Sequence, residues 1–566
     1  MIETDVLIAG GGPVGLTLAL ELEHRGVRAL LVERNPTTTR HPKMDVTNGR
    51  SMEHFRRLGV ADRMRAMAVP GDHPMSVVWC SRPAEWELAR FHYDGVDAVR
   101  ERTRRANDGT QPLEPNMRVS QVVLEPVLKE HLDANARHVR LEFGQGLEGF
   151  EQDATGVTAV VRDTASGATR SIRAKFLAGC DGASSVTRRG LGIGLDEMRP
   201  EQAMSGGDKL RALGGVARGM LRGERPPDGR IYLIHFRSKD RAFFERFGTL
   251  WHLQSPHHGT IISQNDVDTW TLHVPLPGGA DADRIDPQAF LYECLGREVD
   301  CEIVVANPWQ PRLMLAASYG QGRVWLAGDS VHQYIPTGGY GMNTGVGDAV
   351  DLGWKLAAML EGWGGPRLLA SYEAERRPVG SRNRAASARH LAIRVAIASA
   401  YTPAIHEDSA RGEKARRALG RKILGLGNLE NEALGIEIGY RYDASPVLCH
   451  EVGQAPPGEM ERYHPSTWPG VRVPSVYLSD GRALFDLLGR GFTLLRFGDV
   501  DAVGLTTAAA LRNVPLDVVD VRDDHAARLY QKKLVLVRPD QHVAWRGDAE
   551  PADAVAVIDR VRGAAG

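Results

Sequence analysis

Within its first 33 residues the chain sets a strand, a glycine turn, a helix and a second strand in immediate succession. Val6-Leu7-Ile8-Ala9 is a short apolar run of buried-strand type. Gly10-Gly11-Gly12-Pro13-Val14-Gly15 follows at once, and residues 16–22 read as a helix. Gly10 permits the tight turn, Gly12 lets a pyrophosphate approach the backbone, and Gly15 lets the helix pack close to the strand. The helix N-terminus, opened by Pro13 and Val14, then faces the phosphates. A second apolar run, Ala29-Leu30-Leu31-Val32, ends in Glu33, where a carboxylate can accept both ribose hydroxyls of an adenosine. Such a start predicts an α/β fold with a Rossmann-like dinucleotide site. The same glycine spacing recurs at Gly144-Gln145-Gly146-Leu147-Glu148-Gly149, but its flanks are polar and strand-like, with no helix to supply a dipole.

Two later segments end strands in an acid beside glycine. Residues 176–194 read FLAGCDGASSVTRRGLGIG, a buried strand closing on Cys180-Asp181-Gly182. Arg323-Val324-Trp325-Leu326-Ala327 closes on Gly328-Asp329, followed by SVHQYIPTGGYGMNTGVG and a helix-like stretch from Asp348 to Leu360. Asp329 can hydrogen-bond a ribityl hydroxyl, while Gly338, Gly339 and Gly341 let backbone N–H groups reach a carbonyl-rich ring. A flavin meets both demands. His332, inside this motif, reads as a structural histidine.

Length and charge narrow the class. A chain of 566 residues exceeds what one core sustains, which predicts two or three domains. With 70 Lys+Arg against 71 Asp+Glu, no net field draws it to nucleic acid or an acidic membrane. The five cysteines contain no C-x-x-C, so neither a disulfide framework nor a metal site is indicated. No apolar run approaches the roughly 18 residues of a membrane span, and no leader pattern opens the chain; the expected compartment is the cytoplasm.

Taken together, G-x-G-x-x-G with its following Glu, C-D-G, G-D-x-x-H-x-x-x-P-x-G-G-x-G-x-N and D-A-x-D-L-x-W-K-L resemble the single-component FAD-dependent aromatic hydroxylases, the group of phenol and polyketide hydroxylases. The resemblance runs from end to end. It implies that the first glycine cradle with Glu33 and Arg34 holds the ADP half of FAD, that Asp329 holds the ribityl chain, and that Pro336, Gly339, Gly341, Met342 and Asn343 lie along the isoalloxazine ring. It further places Asp181, Arg50, Arg118 and Gln121 at the cofactor. The implied reaction uses NADPH or NADH and oxygen, through a flavin C4a-hydroperoxide, to hydroxylate a phenolic, aromatic or polyketide-type ring. In the stretch Lys43-Met44-Asp45-Val46-Thr47-Asn48-Gly49-Arg50, Asp45 stands where phenol hydroxylases carry the base that takes the phenol proton; an Asx-turn after Pro42 is the alternative. Lys43, Ser184, Tyr340 and Asp351 depart from the family pattern, and Tyr340 would sit beside the flavin.

The remaining segments complete the expected organisation. Residues 1–75, 115–195 and 318–365 form the discontinuous FAD-binding domain. Residues 76–114 and 196–317 form a substrate domain, whose β-branched and aromatic runs predict one antiparallel sheet. The family places such a sheet over the flavin, making Tyr232, His235, Trp251 and His252 candidate substrate contacts, and Tyr340 is a further candidate from the loop beside the flavin. Residues 366–439 read as a helical linker with a solvated charged face. Residues 440–566 resemble a thioredoxin-like domain without a redox pair, suited to packing or homodimer formation. Two other classes fit less well: a halogenase lacks its W-x-W motif here, and a two-site dehydrogenase lacks a second nucleotide cradle. A non-catalytic protein binding FAD or an aromatic ligand stays open.

Overall fold

In the computed structural model the described residues are 2–42, 44–199, 202 and 227–564; Lys43 and part of the expected 196–317 segment fall outside them. The N-terminal apolar runs form a parallel sheet in the order Val324–Leu326, Thr169–Gly179, Ile2–Ala9, Ala29–Glu33, Val139–Phe143. Ala9 pairs with both Gly179 and Val32, and Gly179 with Leu326. Three motifs separated by some 150 residues each therefore end at one edge of one sheet, the edge outside which α/β folds bind ligands. The second glycine pattern is instead a turn at Gly144 after the strand Val139–Phe143 and the first half of the strand Gln145–Gln152.

Two helices pack against this sheet and against each other. The first, Pro13–His24, has no side-chain cap at its N-terminus. The second spans Tyr340–Leu360 and begins eight residues before the expected Asp348. Its glycines serve packing rather than a loop: a Cβ on Gly345 would collide with Val14, and one on Gly347 with Arg376. Thr344 Oγ1 donates to the Tyr340 carbonyl (2.8 Å), and Asn343 Nδ2 to that of Gly339 (2.7 Å), in its first turn.

The β-branched runs form a seven-stranded sheet in the order Cys301–Trp309, Pro227–Ser238, Thr269–Pro277, Gly259–Ser263, His252–Ser255, Val77–Cys80, Glu87–Phe91. All pairs are antiparallel except His252–Ser255 with Val77–Cys80. One face carries an apolar core around Phe236, Phe244, Trp270 and Leu272; the other faces the crevice of the parallel sheet.

The long helix Leu368–Ala398 bridges the two sheets. Its charges correct the expectation of a solvated face: Glu375 and Arg376 are buried in ion pairs and Arg394 joins the cavity wall. The tail forms a sheet ordered Leu516–Val521, Phe492–Phe497, Leu534–Val537, Val543–Gly547, with the first pair parallel and the others antiparallel. Helices Val503–Leu511, Asp524–Tyr530 and Ala554–Val561 interleave with it, giving the thioredoxin-like order. Among the described residues no helix is long and apolar enough to cross a membrane.

Candidate active site

Between the parallel sheet's edge and the seven-stranded sheet lies a cavity of about 2500 Å³. Sites for one small molecule occupy roughly 300–1,000 Å³, so this space accommodates a dinucleotide and a second ligand together. Gly10, Gly12, Pro13, Val14, Glu33 and Arg34 line it, as do Asp181, Asp329, Pro336, Gly339, Gly341 and Met342.

The cradle suits FAD. Gly10 has φ +107°, and a Cβ there would strike the Cys180 carbonyl. Gly15, just behind the wall, would overlap the Gly10 carbonyl with any side chain, whereas a Cβ on Gly12 meets nothing nearer than Glu125 at 4.0 Å. The backbone at Gly12 is thus open to a phosphate. Glu33 is held at the strand end by the Gly11 N–H (2.7 Å) and the Asn35 N–H (2.8 Å). The helix beginning at Tyr340 enters the same cavity through Gly339, at φ 64°, again without a side-chain cap. Two helix N-termini therefore present N–H groups and positive dipole ends to one elongated space.

Asp181 sits in the wall with its carboxylate already engaged by Ser185 Oγ (2.5 Å) and by the Thr187 N–H and Oγ1, both 2.9 Å. Gln121 also lines the cavity and donates to Glu125 Oε1 (2.6 Å). His332 is fully buried against Asp348 (2.8 Å), itself paired with Arg376, which agrees with a structural role.

Several expected contacts are placed elsewhere. Arg118 is not in the wall: its guanidinium pairs with Asp266 and donates to the Ser263 carbonyl. Arg50 reaches away from the cavity to Glu53, Gln541 Oε1 (2.7 Å) and the Asp540 carbonyl (2.6 Å). Asn343 lies behind the loop, accepting from the Asn48 N–H (2.9 Å) and donating to Val46 and Gly339 carbonyls. Tyr340 turns into an apolar cluster and hydrogen-bonds His390 Nε2 (2.7 Å). Tyr232 faces the core of the seven-stranded sheet, because the strand's alternation sends Ile231 and Leu233 to the cavity instead. His235 shares the cavity-side parity but pairs with Thr271 Oγ1 (3.0 Å) and does not reach the wall.

Trp251 and His252 do line the cavity, and they meet Asp45 there. The short strand Val46–Thr47 pairs with Met117–Arg118, and the Val119 N–H binds the Asp45 carbonyl (3.0 Å), so the backbone at Asp45 is fixed. Trp251 Nε1 donates to Asp45 Oδ2 (2.5 Å), and His252 Nε2 stands 3.7 Å from the same oxygen. Burial opposes the charge of Asp45, but the His252 ring, the Trp251 N–H and the Arg118 charge outweigh it and hold the carboxyl below its ordinary range. Sequence reasoning missed His273, Asn307, Trp309, Arg394 and Glu430, all in the wall. The alternation of Trp270-Thr271-Leu272-His273 was a usable signal for His273; Arg394 and Glu430 had none.

A family model described as an FAD binding domain matches residues 3–211 and 236–387, and one described as the C-terminal part of aromatic-ring hydroxylases matches 466–565. The FAD-dependent monooxygenase apdD of Emericella nidulans is 36% identical over 575 residues, covering 96% of this chain and 87% of that protein. The rebeccamycin biosynthetic enzyme RebC, solved with reduced flavin, is similar at a TM-score of 0.85 and 36% identity over 100% of this chain and 99% of its own. The flavin-dependent monooxygenase PieE, solved with FAD and substrate, gives 0.84 and 30% over 100% of both chains.

Proposed function

Because this chain belongs to the FAD-binding aromatic-ring hydroxylases, we propose that it inserts one atom of oxygen into a phenolic, aromatic or polyketide-type ring at the expense of NADPH or NADH. It is an FAD-dependent enzyme of the monooxygenase class. In this reading Gly12 and the N-terminus of Pro13–His24 take the pyrophosphate, Glu33 and Arg34 the adenosine end, and Asp329 the ribityl chain. Pro336, Gly339, Gly341 and Met342 border the ring, which when bound supplies the electron and oxygen-transfer chemistry.

The observation that carries the proposal is Asp45, a carboxylate kept charged in the wall between the cofactor cradle and the substrate sheet. A ring oxygen placed beside it gives up its proton more readily, and the electron-rich phenolate is the better target for oxygen transfer. Trp251 fixes the carboxylate through Oδ2, leaving Oδ1 to accept the proton. The edge of the parallel sheet and the seven-stranded sheet flank the cavity on opposite sides.

The test is the pH profile of Asp45→Asn with a phenol it hydroxylates. Asp45 is charged throughout the working range because its pKa lies below the ordinary carboxyl value. The parent enzyme should therefore stay active below the substrate's own pKa. The variant should retain FAD yet lose about 10²-fold in hydroxylation there, recovering as pH rises through the phenol's pKa. A variant as fast as the parent at every pH overturns the assignment of Asp45.

A further inference from the structure

The seven-stranded sheet carries polar groups on its cavity face that the reaction above does not employ. Successive strands align Gln254, Thr260, His273, Leu233 and Asn307 in one register row, each paired directly with the next. Near Asp45, Gln254 donates to Glu430 (3.0 Å) and Thr260 accepts from Arg394 (2.9 Å), while Gln254 Oε1 and both His252 ring nitrogens have no hydrogen-bond partner among the described residues.

Further across the sheet two more groups are unsatisfied. His273 Nδ1 and Trp309 Nε1 are buried atoms with no hydrogen-bond partner among the described residues, yet both side chains line the cavity. Their rings meet edge to face, with centroids 6.0 Å apart and planes at 87°. Buried polar atoms without partners are rare in native proteins, and in a cavity wall they mark where a ligand or an ordered water completes the set. Burial pushes the His273 imidazole down to about 4, so at neutral pH it is uncharged and suits a carbonyl or hydroxyl oxygen rather than a carboxylate.

His273 and Trp309 lie further across the sheet than the Asp45 end. His252, beside Asp45, lies two strands from His273 and four from Trp309. At about 4.8 Å per strand these are backbone separations of roughly 10 and 19 Å across the sheet, which the side chains shorten, since the His273 and Trp309 rings are 6.0 Å apart and the Asp45 charge reaches His273. We propose that His273 and Trp309 form a second, uncharged hydrogen-bonding subsite for an oxygen of an elongated, planar, multi-ring substrate whose ring to be hydroxylated lies at Asp45. This rests on the hydroxylase reading and specifies the substrate for it.

The experiment measures Kd on the FAD-loaded full-length enzyme, from perturbation of the flavin absorbance, with phenol and with 1,8-dihydroxyanthraquinone. Hydroxylation of each is followed in parallel with NADPH and with NADH. The parent should bind the anthraquinone at least 10-fold more tightly. His273→Phe and, independently, Trp309→Phe should each weaken anthraquinone binding about 10-fold, as for loss of one hydrogen bond, while moving the phenol Kd less than twofold. Variants that leave the anthraquinone Kd unchanged, as when water satisfies both atoms, overturn the inference; so do variants that weaken both ligands equally. A parent that binds and hydroxylates phenol as well as the anthraquinone overturns it too, while the hydroxylase reading stands. Failure to bind or hydroxylate either compound overturns the inference and the reading together.

Discussion

At the scale of single residues, Asp45 reconciles two opposed demands: burial near a ligand, and a charge that burial penalises. Trp251 and His252 resolve the conflict from one side and the Arg118 charge from behind. Arg118 serves mainly as a structural ion, buried at 3% exposure with Asp266. Removing one partner of a buried pair strands the other. Arg118→Met should therefore lower unfolding free energy by about 3–5 kcal/mol in denaturant titration, while the protein that remains folded keeps its FAD. FAD loss with unchanged stability would restore Arg118 as a direct cofactor contact. Ring direction matters equally at this scale: Tyr232 and Leu233 are neighbours in sequence and face opposite sides of one sheet.

At the scale of elements, the entry of the helix Tyr340–Leu360 is coupled to the segment that carries Asp45. Asn343 binds Gly339 on its own turn and Val46 and the Asn48 N–H across the gap, and Asn48 in turn caps the helix Gly49–Arg57 through the Ser51 N–H (2.9 Å). One amide side chain thus fixes the flavin loop relative to the proposed base. Asn343→Ala removes all three bonds and leaves buried backbone groups unpaired. The expected results are a loss of about 2–3 kcal/mol in stability and FAD that dialyses away faster than from the parent. Retention of FAD at parental rates would show that the loop holds its shape without the clasp.

At the scale of the whole molecule, the tail is joined to the first domain by charge and by apolar packing. Arg538 pairs with Asp351 (2.9 Å), Glu375 (2.6 Å) and Asp540 (2.7 Å), and Lys355 with Asp351 (2.8 Å) and Glu375 (2.5 Å), all nearly inaccessible to solvent. Trp354 and Trp363 share one core with Phe492 and Leu494. Calorimetry should show a single unfolding transition for both parts, and Arg538→Met should split it or lower it by about 3–5 kcal/mol. The cluster is also sensitive to pH. Burial, helped by Glu375, pushes Asp351 up to about 7, while Arg538 and Lys355 hold Glu375 low against its own burial. An acid raised in the fold favours folding fully below its ordinary pKa of 3.8 and loses that contribution as pH rises through 7. Asp351→Asn should therefore gain thermal stability over the parent at pH 8 relative to pH 5. The same gain at both values would mean that Asp351 does not titrate there.

The N-terminal cradle, the Asp181 and Asp329 strand ends and the tail strands Phe492–Phe497, Leu516–Val521 and Leu534–Val537 were legible because apolar period and turn chemistry are local properties of the chain. The helix entry at Tyr340 was not, because glycines that permit close helix packing look like a loop until the neighbouring Val14 is in place. Partners lay still further beyond reach. Asp45 meets Trp251 across 206 residues of chain, Arg118 meets Asp266 across 148, and Arg50 meets Gln541 across 491. Such contacts follow from how one sheet faces another and how the tail docks, and no local period encodes that packing. The amino-acid sequence by itself determined a flavoprotein hydroxylase framework and a candidate base. Only the tertiary structure decided which polar side chains line the cavity and which are spent holding the framework together, because both kinds alternate along the same strands and helices.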